Sequence, residues 1–394
     1  MANVRTRVAA NRRERRHRPA HRRHPAAAPP FPTERLPLRS ATATIRSAAL
    51  RANLAQLRRL SQGARVVAVV KADGYGHGLE RVARILADAD AFGVAAIADG
   101  QRLRAAGHRQ RIIVLSGPDE AADLAELRRL RLDAVIHHDA QLAWLAADRD
   151  PRPLRVWLKI DSGMHRLGFA PERVREVYGR LQAMPSVDRD VVLMTHFAAS
   201  DEFDNPTTAE QIACFEAATR DLPGPRCLAN SAGVLGWPAA HGDWVRTGGL
   251  LYGLSVVNRK SGRDLGFAPA MSLSTRLIAI NRLRRGERIG YAGTWECPED
   301  MDVGVIAIGY GDGYPRSAAA GTPVLLRGRR VPIVGRVSMD LTTIDLRQAP
   351  DARVGDRVLL WGDELPVEEI ADRAGTIAYD LTCGMTKRVL FVED

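Results

Sequence analysis

The chain has 394 residues, 45% of them hydrophobic and 26% charged, the balance of a globular protein long enough for one large α/β domain and a smaller second one. No stretch reaches the roughly 18 uncharged apolar residues of a membrane span. The four cysteines (Cys214, Cys227, Cys297 and Cys383) show neither a C-x-x-C pair nor zinc-ligand spacing, so a reducing, cytoplasmic setting is expected, without disulfides, structural metal or membrane.

The net charge of +11 is unevenly spread. Of 57 basic and 46 acidic residues, 11 and two lie in residues 1–40, which leaves 46 against 44, a net +2, for the rest. The first 40 residues, with NRRERRHRPAHRRHP followed by AAAPPFPTE, lack apolar periodicity and are expected to be a disordered Arg/Pro-rich extension. They contain no apolar run of the kind a secretory signal needs, and no function is assigned to them. The body, nearly neutral and without aromatic–basic interleaving, is not expected to act chiefly on nucleic acid.

From residue 41 the text alternates. TIRSAALRANLAQLRRL carries apolar residues at helical spacing, and VVAVV reads as a buried strand. There follow HGLERVARILADA (helix), FGVAAI (strand), DGQRLRAAG (helix) and RIIVLS (strand), and the rhythm continues through DAVIHH, RVWLKID, VVLMTH and RCLANS to WVRTGGLLYG. Eight near-continuous apolar strands separated by amphipathic helices predict parallel strands covered by helices. Over residues 41–270 that count fits a (β/α)8 TIM-type barrel. An open doubly wound sheet is the alternative, but no G-x-G-x-x-G follows a strand. After residue 270 the runs SLSTRLIAINRL, MDVGVIAIGYGDGY, TPVLLRGRRVPIVGRVSMDLTTIDL and VGDRVLLWG are strand-like with short glycine turns, so residues 271–394 are expected to be a mostly β C-terminal domain.

In such a barrel, chemistry gathers at the C-terminal strand ends. Read in order, those ends carry Lys71, then Lys159 and Asp161, then His196, then Asn230 with Ser231, then Arg246 beside Gly248 and Gly249. Hydroxyl and glycine amides suit a phosphate, and a desolvated lysine suits covalent attachment to a carbonyl. Taken singly, each has a plainer reading: Arg246 as a salt-bridge partner, His196 as a strand-end histidine, Met339 as β-domain core.

Taken together, VVKADGYGHG, LKIDSGMHRLGF, MTHFAASDE, LANSAG, WVRTGGLLYG, IGYAGTW, AIGYGDGYPR, VPIVGRVSMD and AYDLTCG make the chain resemble the alanine racemases, enzymes that use pyridoxal 5'-phosphate (PLP), from about residue 40 to the end. The resemblance implies that Lys71 holds the cofactor covalently and that Tyr75, Ser231, Gly248, Gly249 and Tyr379 bind its phosphate. Asn230 lies beside that cluster. Arg246 would face the pyridine nitrogen. Lys71 and Tyr291 would be the two bases, one for each face of the substrate carbon. Arg166 and His196 would flank that tyrosine, Met339 would offer a backbone contact to the substrate carboxylate, and Tyr310 and Asp340 would support the same region. Lys159 matches a position often carbamylated, where its negative charge would orient Arg166. The resemblance further implies a homodimer in which Tyr291 and Met339 complete the partner's site, and D-alanine destined for peptidoglycan. A broader small-amino-acid racemase, or a related PLP decarboxylase, is the alternative. A non-catalytic PLP-binding barrel would lack the β domain and its Tyr291 block.

Overall fold

The computed structural model describes residues 41–394, so the Arg-rich extension lies outside the described residues. Strand β1 is Thr42–Ile45; then come β2 (Arg65–Val69), β3 (Ala91–Val94), β4 (Arg111–Val114), β5 (Asp133–Ile136), β6 (Val156–Lys159), β7 (Val192–Met194), β8 (Arg226–Cys227) and β9 (Trp244–Thr247). Strands β2 to β9 pair in parallel in sequence order and close into a barrel, with β2 meeting β9 at Val67 opposite Arg246. The continuous apolar runs now have a cause, because both faces are buried. Val67, Ala91, Ile113, Val135, Trp157, Val192, Cys227 and Trp244 fill the barrel interior. Val66, Ala68 and Val70 pack outward with Leu50, Leu54 and Leu57 of the helix Ser47–Leu60.

The N-terminal end of the barrel is closed by ionic packing. Asp133, fully buried at the start of β5, accepts Arg111 Nε at 2.8 Å and Trp157 Nε1 at 3.0 Å, with Arg155 Nε 3.1 Å away. Arg65 lies over the Trp244 ring, 3.9 Å from its centroid. At the opposite end the barrel makes its longest connections, residues 160–170 after β6 and 195–206 after β7.

Strand β1 departs from the sequence reading, which ran a helix through residues 44–60 and began the barrel at 41. Its two apolar residues, Ala43 and Ile45, alternate with half-buried threonines, a strand pattern of period two. It pairs with the long strand β10 (Met271–Leu283) and with the last strand of the chain, so residues 42–45 belong to the second sheet. The C-terminal part continues with the hairpin β11 (Arg288–Ile289) and β12 (Trp295–Glu296), then β13 (Met301–Ile306), β14 (Pro323–Leu326), β15 (Arg329–Pro332), β16 (Thr342–Asp345), β17 (Arg357–Trp361) and β18 (Leu390–Glu393). Its main sheet runs β15-β14-β17-β10-β1-β18, with β13 joining β10 to β16.

Two helices, Val367–Ala374 and Ala378–Cys383, interrupt the strand rhythm near the end. The first buries Val367, Ile370, Ala371 and Ala374, a helical stripe the strand-by-strand reading passed over. The second carries Tyr379 toward the barrel mouth. Among the described residues no helix is long and apolar enough to cross a membrane.

Candidate active site

Lys71 stands just past β2, where the backbone turns abruptly. Ala72, Asp73, Gly74, Tyr75 and Gly76 all have positive φ, between 52° and 79°. Left-handed backbone costs a non-glycine residue roughly 1–2 kcal/mol, so Ala72, Asp73 and Tyr75 must be held there. Gly74 N donates to Val70 O at 2.9 Å, Gly76 N to Ala72 O at 3.0 Å and Gly78 N to Asp73 O at 2.8 Å. The Asp73 carboxylate also accepts Leu79 N at 3.1 Å. The turn swings the Tyr75 ring back over the barrel mouth, onto Tyr252 at a centroid distance of 4.8 Å and beside Tyr379 at 5.8 Å.

Across the mouth, Ser231 Oγ accepts the N–H of Gly248 at 2.9 Å. A Cβ on Gly248 would lie 2.4 Å from the Tyr75 hydroxyl, and one on Gly249 2.3 Å from that of Tyr379. With the two phenols where they stand, these positions take only glycine, and the space they leave is a small cup walled by two phenols, one serine hydroxyl and the glycine main chain. Burial pushes the Tyr75 phenol up to about 12, with Cys383 adding to it, and raises Tyr379 further. Both hydroxyls therefore remain donors at neutral pH. That donor set and cradle fit a phosphate group. Asn230 has a different part. Its Oδ1 accepts Gly233 N at 2.9 Å and the Ser200 hydroxyl at 2.9 Å, capping the helix Ser231–Gly236 and fixing Ser231.

Arg246, in β9, occupies the floor. Nη1 donates to Cys227 O at 2.8 Å and approaches Cys227 Sγ at 3.0 Å. Nη2 donates to Thr195 O at 2.6 Å and Leu228 O at 3.1 Å, and reaches His196 Nδ1 at 3.3 Å. Every acceptor is uncharged, so the salt-bridge reading of Arg246 fails, and among the described residues no carboxylate pairs with it. Its Nε–H has no acceptor among the described residues. Burial first, then Arg246, drives the His196 pKa well below its usual value, so the imidazole is neutral and turns a lone pair to the arginine.

Lys159 ends β6 and is buried; burial, then Arg246 and Arg166, lower it to about 8. Lys71 is open to solvent through the mouth, yet the walls around it, followed by Arg166, also lower its pKa. Arg166 sits on the exposed loop after β6. That loop is shaped by Asp161, whose Oδ1 accepts the N–H of Gly163 at 3.1 Å and of His165 at 2.9 Å, a structural task for a residue the strand-end reading had grouped with the chemistry. Among the described residues, no ion pair joins Lys71, Lys159, Arg166 or Arg246 to a carboxylate.

These groups line one cleft of about 1080 Å³: Lys71, Tyr75, Lys159, Arg166, His196, Asn230, Ser231, Arg246, Gly248, Gly249 and Tyr379. Four candidates do not reach it. Tyr291 stands at the tip of the β11–β12 hairpin, 66% exposed. Met339 is 52% exposed rather than β-domain core, and Tyr310 is 38% exposed. Met339 O accepts Gly311 N at 2.8 Å and Ser338 O accepts Tyr310 N at 3.0 Å, so those two loops form one unit. Asp340 is exposed beside them and ion-paired with Arg388. Sequence reasoning missed Cys227, Tyr252 and His77, which back the cleft from behind; all three lie within or beside the quoted blocks, but nothing in their spacing marks them.

Two family models match the chain, alanine racemase N-terminal domain over residues 45–256 and alanine racemase C-terminal domain over residues 270–392. An alanine racemase of Shewanella amazonensis is 52% identical over 355 residues, covering 88% of this chain and 97% of the relative. Among solved structures, the biosynthetic alanine racemase of Pseudomonas aeruginosa superposes with a TM-score of 0.88 at 44% identity, over 91% of this chain and all of that one. The alanine racemase of E. faecalis gives 0.84 at 32% identity, over 90% of this chain and 98% of that one. The cup, the cationic floor and the barrel-plus-sheet frame thus coincide with a match that runs nearly end to end, and the chain belongs to the alanine racemase family.

Proposed function

We propose that the protein interconverts L- and D-alanine with pyridoxal 5'-phosphate, and that the cleft at the C-terminal end of the barrel is its active site. The observation that carries this reading is the joint presence of a phosphate-shaped cup at Gly248–Gly249 and an arginine with only neutral partners on the floor. Tyr75, Ser231, Gly248, Gly249 and Tyr379 would hold the phosphate, Lys71 Nζ would hold the cofactor covalently, and Arg246 would face its ring nitrogen.

When bound, the cofactor withdraws electrons from the substrate's α-carbon and so acidifies its proton. The chain's residues then decide where that proton goes. Lys71, with its pKa lowered by burial and by Arg166, is suited to take a proton on one face as a neutral amine. Delivery to the other face needs a second base, and Tyr291 has the right chemistry. Its exposure, shared by Met339 and Tyr310, supports a homodimer in which a partner copy sets these loops over the mouth of the cleft. Arginine is always charged and only donates, so Arg246 would leave the ring nitrogen unprotonated. The weaker electron withdrawal favours prompt reprotonation over transamination or decarboxylation. A racemase is therefore preferred to the decarboxylase alternative.

Lys159 would be carbamylated, its neutral amine adding to carbon dioxide with loss of one proton. The resulting negative charge would offset a cluster that otherwise holds Lys71, Arg166 and Arg246 without a carboxylate, and would orient Arg166. Supply of D-alanine to peptidoglycan, in the cytoplasm, is the purpose that follows from the family.

The test is chiral chromatography of L-alanine incubated with the PLP-loaded protein in deuterated water. D-alanine bearing deuterium at its α-carbon is the expected product. Unchanged, unlabelled L-alanine would sink the reading, and release of carbon dioxide would favour the decarboxylase.

A further inference from the structure

We propose that His77 is a positioning residue for cofactor binding: it holds the Tyr75 main chain from behind and so keeps the Tyr75 hydroxyl aimed into the phosphate cup. The inference rests on the reading of Tyr75 as a phosphate ligand.

His77 is fully buried. Its Nδ1 lies 2.9 Å from Tyr75 O, and since a carbonyl only accepts, the imidazole proton belongs on Nδ1 there. The main-chain N–H groups that follow Tyr75 in the chain are spent elsewhere, that of His77 on Gly74 O at 3.0 Å. The N–H groups of Gly78 and Leu79 are committed to the carbonyl and carboxylate of Asp73, at 2.8 and 3.1 Å. Without the imidazole, the Tyr75 carbonyl would be left to a left-handed turn that cannot pair it.

The ring does a second job. It packs on Tyr252 at a centroid distance of 4.7 Å, and Tyr252 stacks on Tyr75 at 4.8 Å and 24°. The Tyr252 hydroxyl donates to Val69 O at 3.0 Å, so the strand leading to Lys71 is tied into the same stack. The ring thus backs the strand that leads to Lys71 by packing, which a phenylalanine ring would keep, and holds the Tyr75 carbonyl through Nδ1–H, which a phenylalanine would lose.

His77 Nε2 is buried with no hydrogen-bond partner among the described residues. A leucine or phenylalanine would fill the same volume without stranding a polar atom, so packing alone does not account for histidine. Burial holds the ring neutral, lowering it to about 4; the carbonyls of Tyr75 and Gly74 act in the opposite sense, and Arg81, which also donates to His77 O at 2.8 Å, lowers it further. A neutral imidazole with a fixed tautomer is a steady donor across the working pH range.

The experiment is titration of the cofactor-free protein with PLP and, separately, with pyridoxal, which lacks the phosphate. Wild-type protein should prefer PLP; equal affinities would overturn the phosphate cup itself and leave the His77 inference without its basis. Given that preference, His77→Phe should weaken PLP binding about tenfold or more, the loss of one buried hydrogen bond, while pyridoxal binding stays unchanged. His77→Asn, which restores an N–H donor near the position of Nδ1, should recover most of the difference. If His77→Phe binds PLP as wild type does, or loses both compounds equally, the positioning role is wrong. Should that variant not fold, nitrogen-15 NMR of histidine-labelled wild-type protein decides. An Nδ1–H tautomer unchanged from about pH 5.5 to 8 is expected; an Nε2–H tautomer, or titration in that range, overturns the inference.

Discussion

The two lysines of the cleft have similar surroundings and opposite prospects. Lys71 projects from a turn at the open mouth, whereas Lys159 ends a strand beneath it, nearer the Arg246 floor. Both pKa values fall, by burial first and neighbouring cations second. For Lys71 the consequence is nucleophilicity, and Lys71→Ala should leave a protein in which borohydride no longer fixes the cofactor to the chain. Intact-mass measurement checks it, and a reduced adduct on the variant would remove Lys71 as the anchor. For Lys159, at about 8, the neutral amine is the minor form below that pH and the major form above it. Carbamylation consumes the neutral form, so its extent should rise as pH is raised through about 8 in bicarbonate. Carbon-13 bicarbonate NMR would show a carbamate signal growing in that direction and missing from Lys159→Met. A signal that persists in the variant would place the modification elsewhere.

At the scale of elements, the barrel separates stability from chemistry by end. Asp133 sits at the N-terminal end among Arg111, Arg155 and Trp157, remote in the fold from the strand ends that bear Lys71 and Arg246. Removing one member of a buried ion pair leaves the others uncompensated, at about 3–5 kcal/mol. Asp133→Ala should therefore lower unfolding free energy by about that amount in denaturant titration, with the spectrum of the bound cofactor unchanged. A change in the spectrum without a change in stability would reverse the assignment. The eight barrel strands were legible because strands buried on both faces leave an uninterrupted apolar run. Strand β1 was not, because four residues abut a strongly periodic helix and pair with strands more than 220 positions away. The helix that presents Tyr379 was hidden by its shortness. In the site, strand-end position alone pointed to Lys71, Lys159, His196, Ser231 and Arg246. Tyr75, Tyr379, Tyr291 and Met339 were named only through resemblance, because their place depends on turns and loops that leave no periodic trace. Cys227, Tyr252 and His77 touch residues of the cleft without lining it, so no motif logic singles them out.

On the scale of the whole molecule, one copy carries a cleft and, elsewhere, the exposed Tyr291 hairpin and the Tyr310–Met339 loop unit, neither of which lines it. If a second copy supplies both by symmetry, each site needs Lys71 from one chain and Tyr291 from the other. Lys71→Ala and Tyr291→Phe dimers should then each lose racemisation, because each lacks one of the two bases at both sites. The Tyr291→Phe protein should still exchange the α-proton of one enantiomer with solvent far better than that of the other, since one base remains. Mixing the two variants under subunit exchange makes the decisive case. In a mixed dimer one site lacks both groups, while the other has both. With random pairing, half of the dimers are mixed and each has one intact site in two, so about a quarter of wild-type activity should return. Recovery near that level, dependent on subunit exchange, fits a site shared across a head-to-tail pair. Mixtures that stay inactive despite demonstrated exchange would mean that both bases come from one chain, and that the hairpin bearing Tyr291 must move to reach its own barrel.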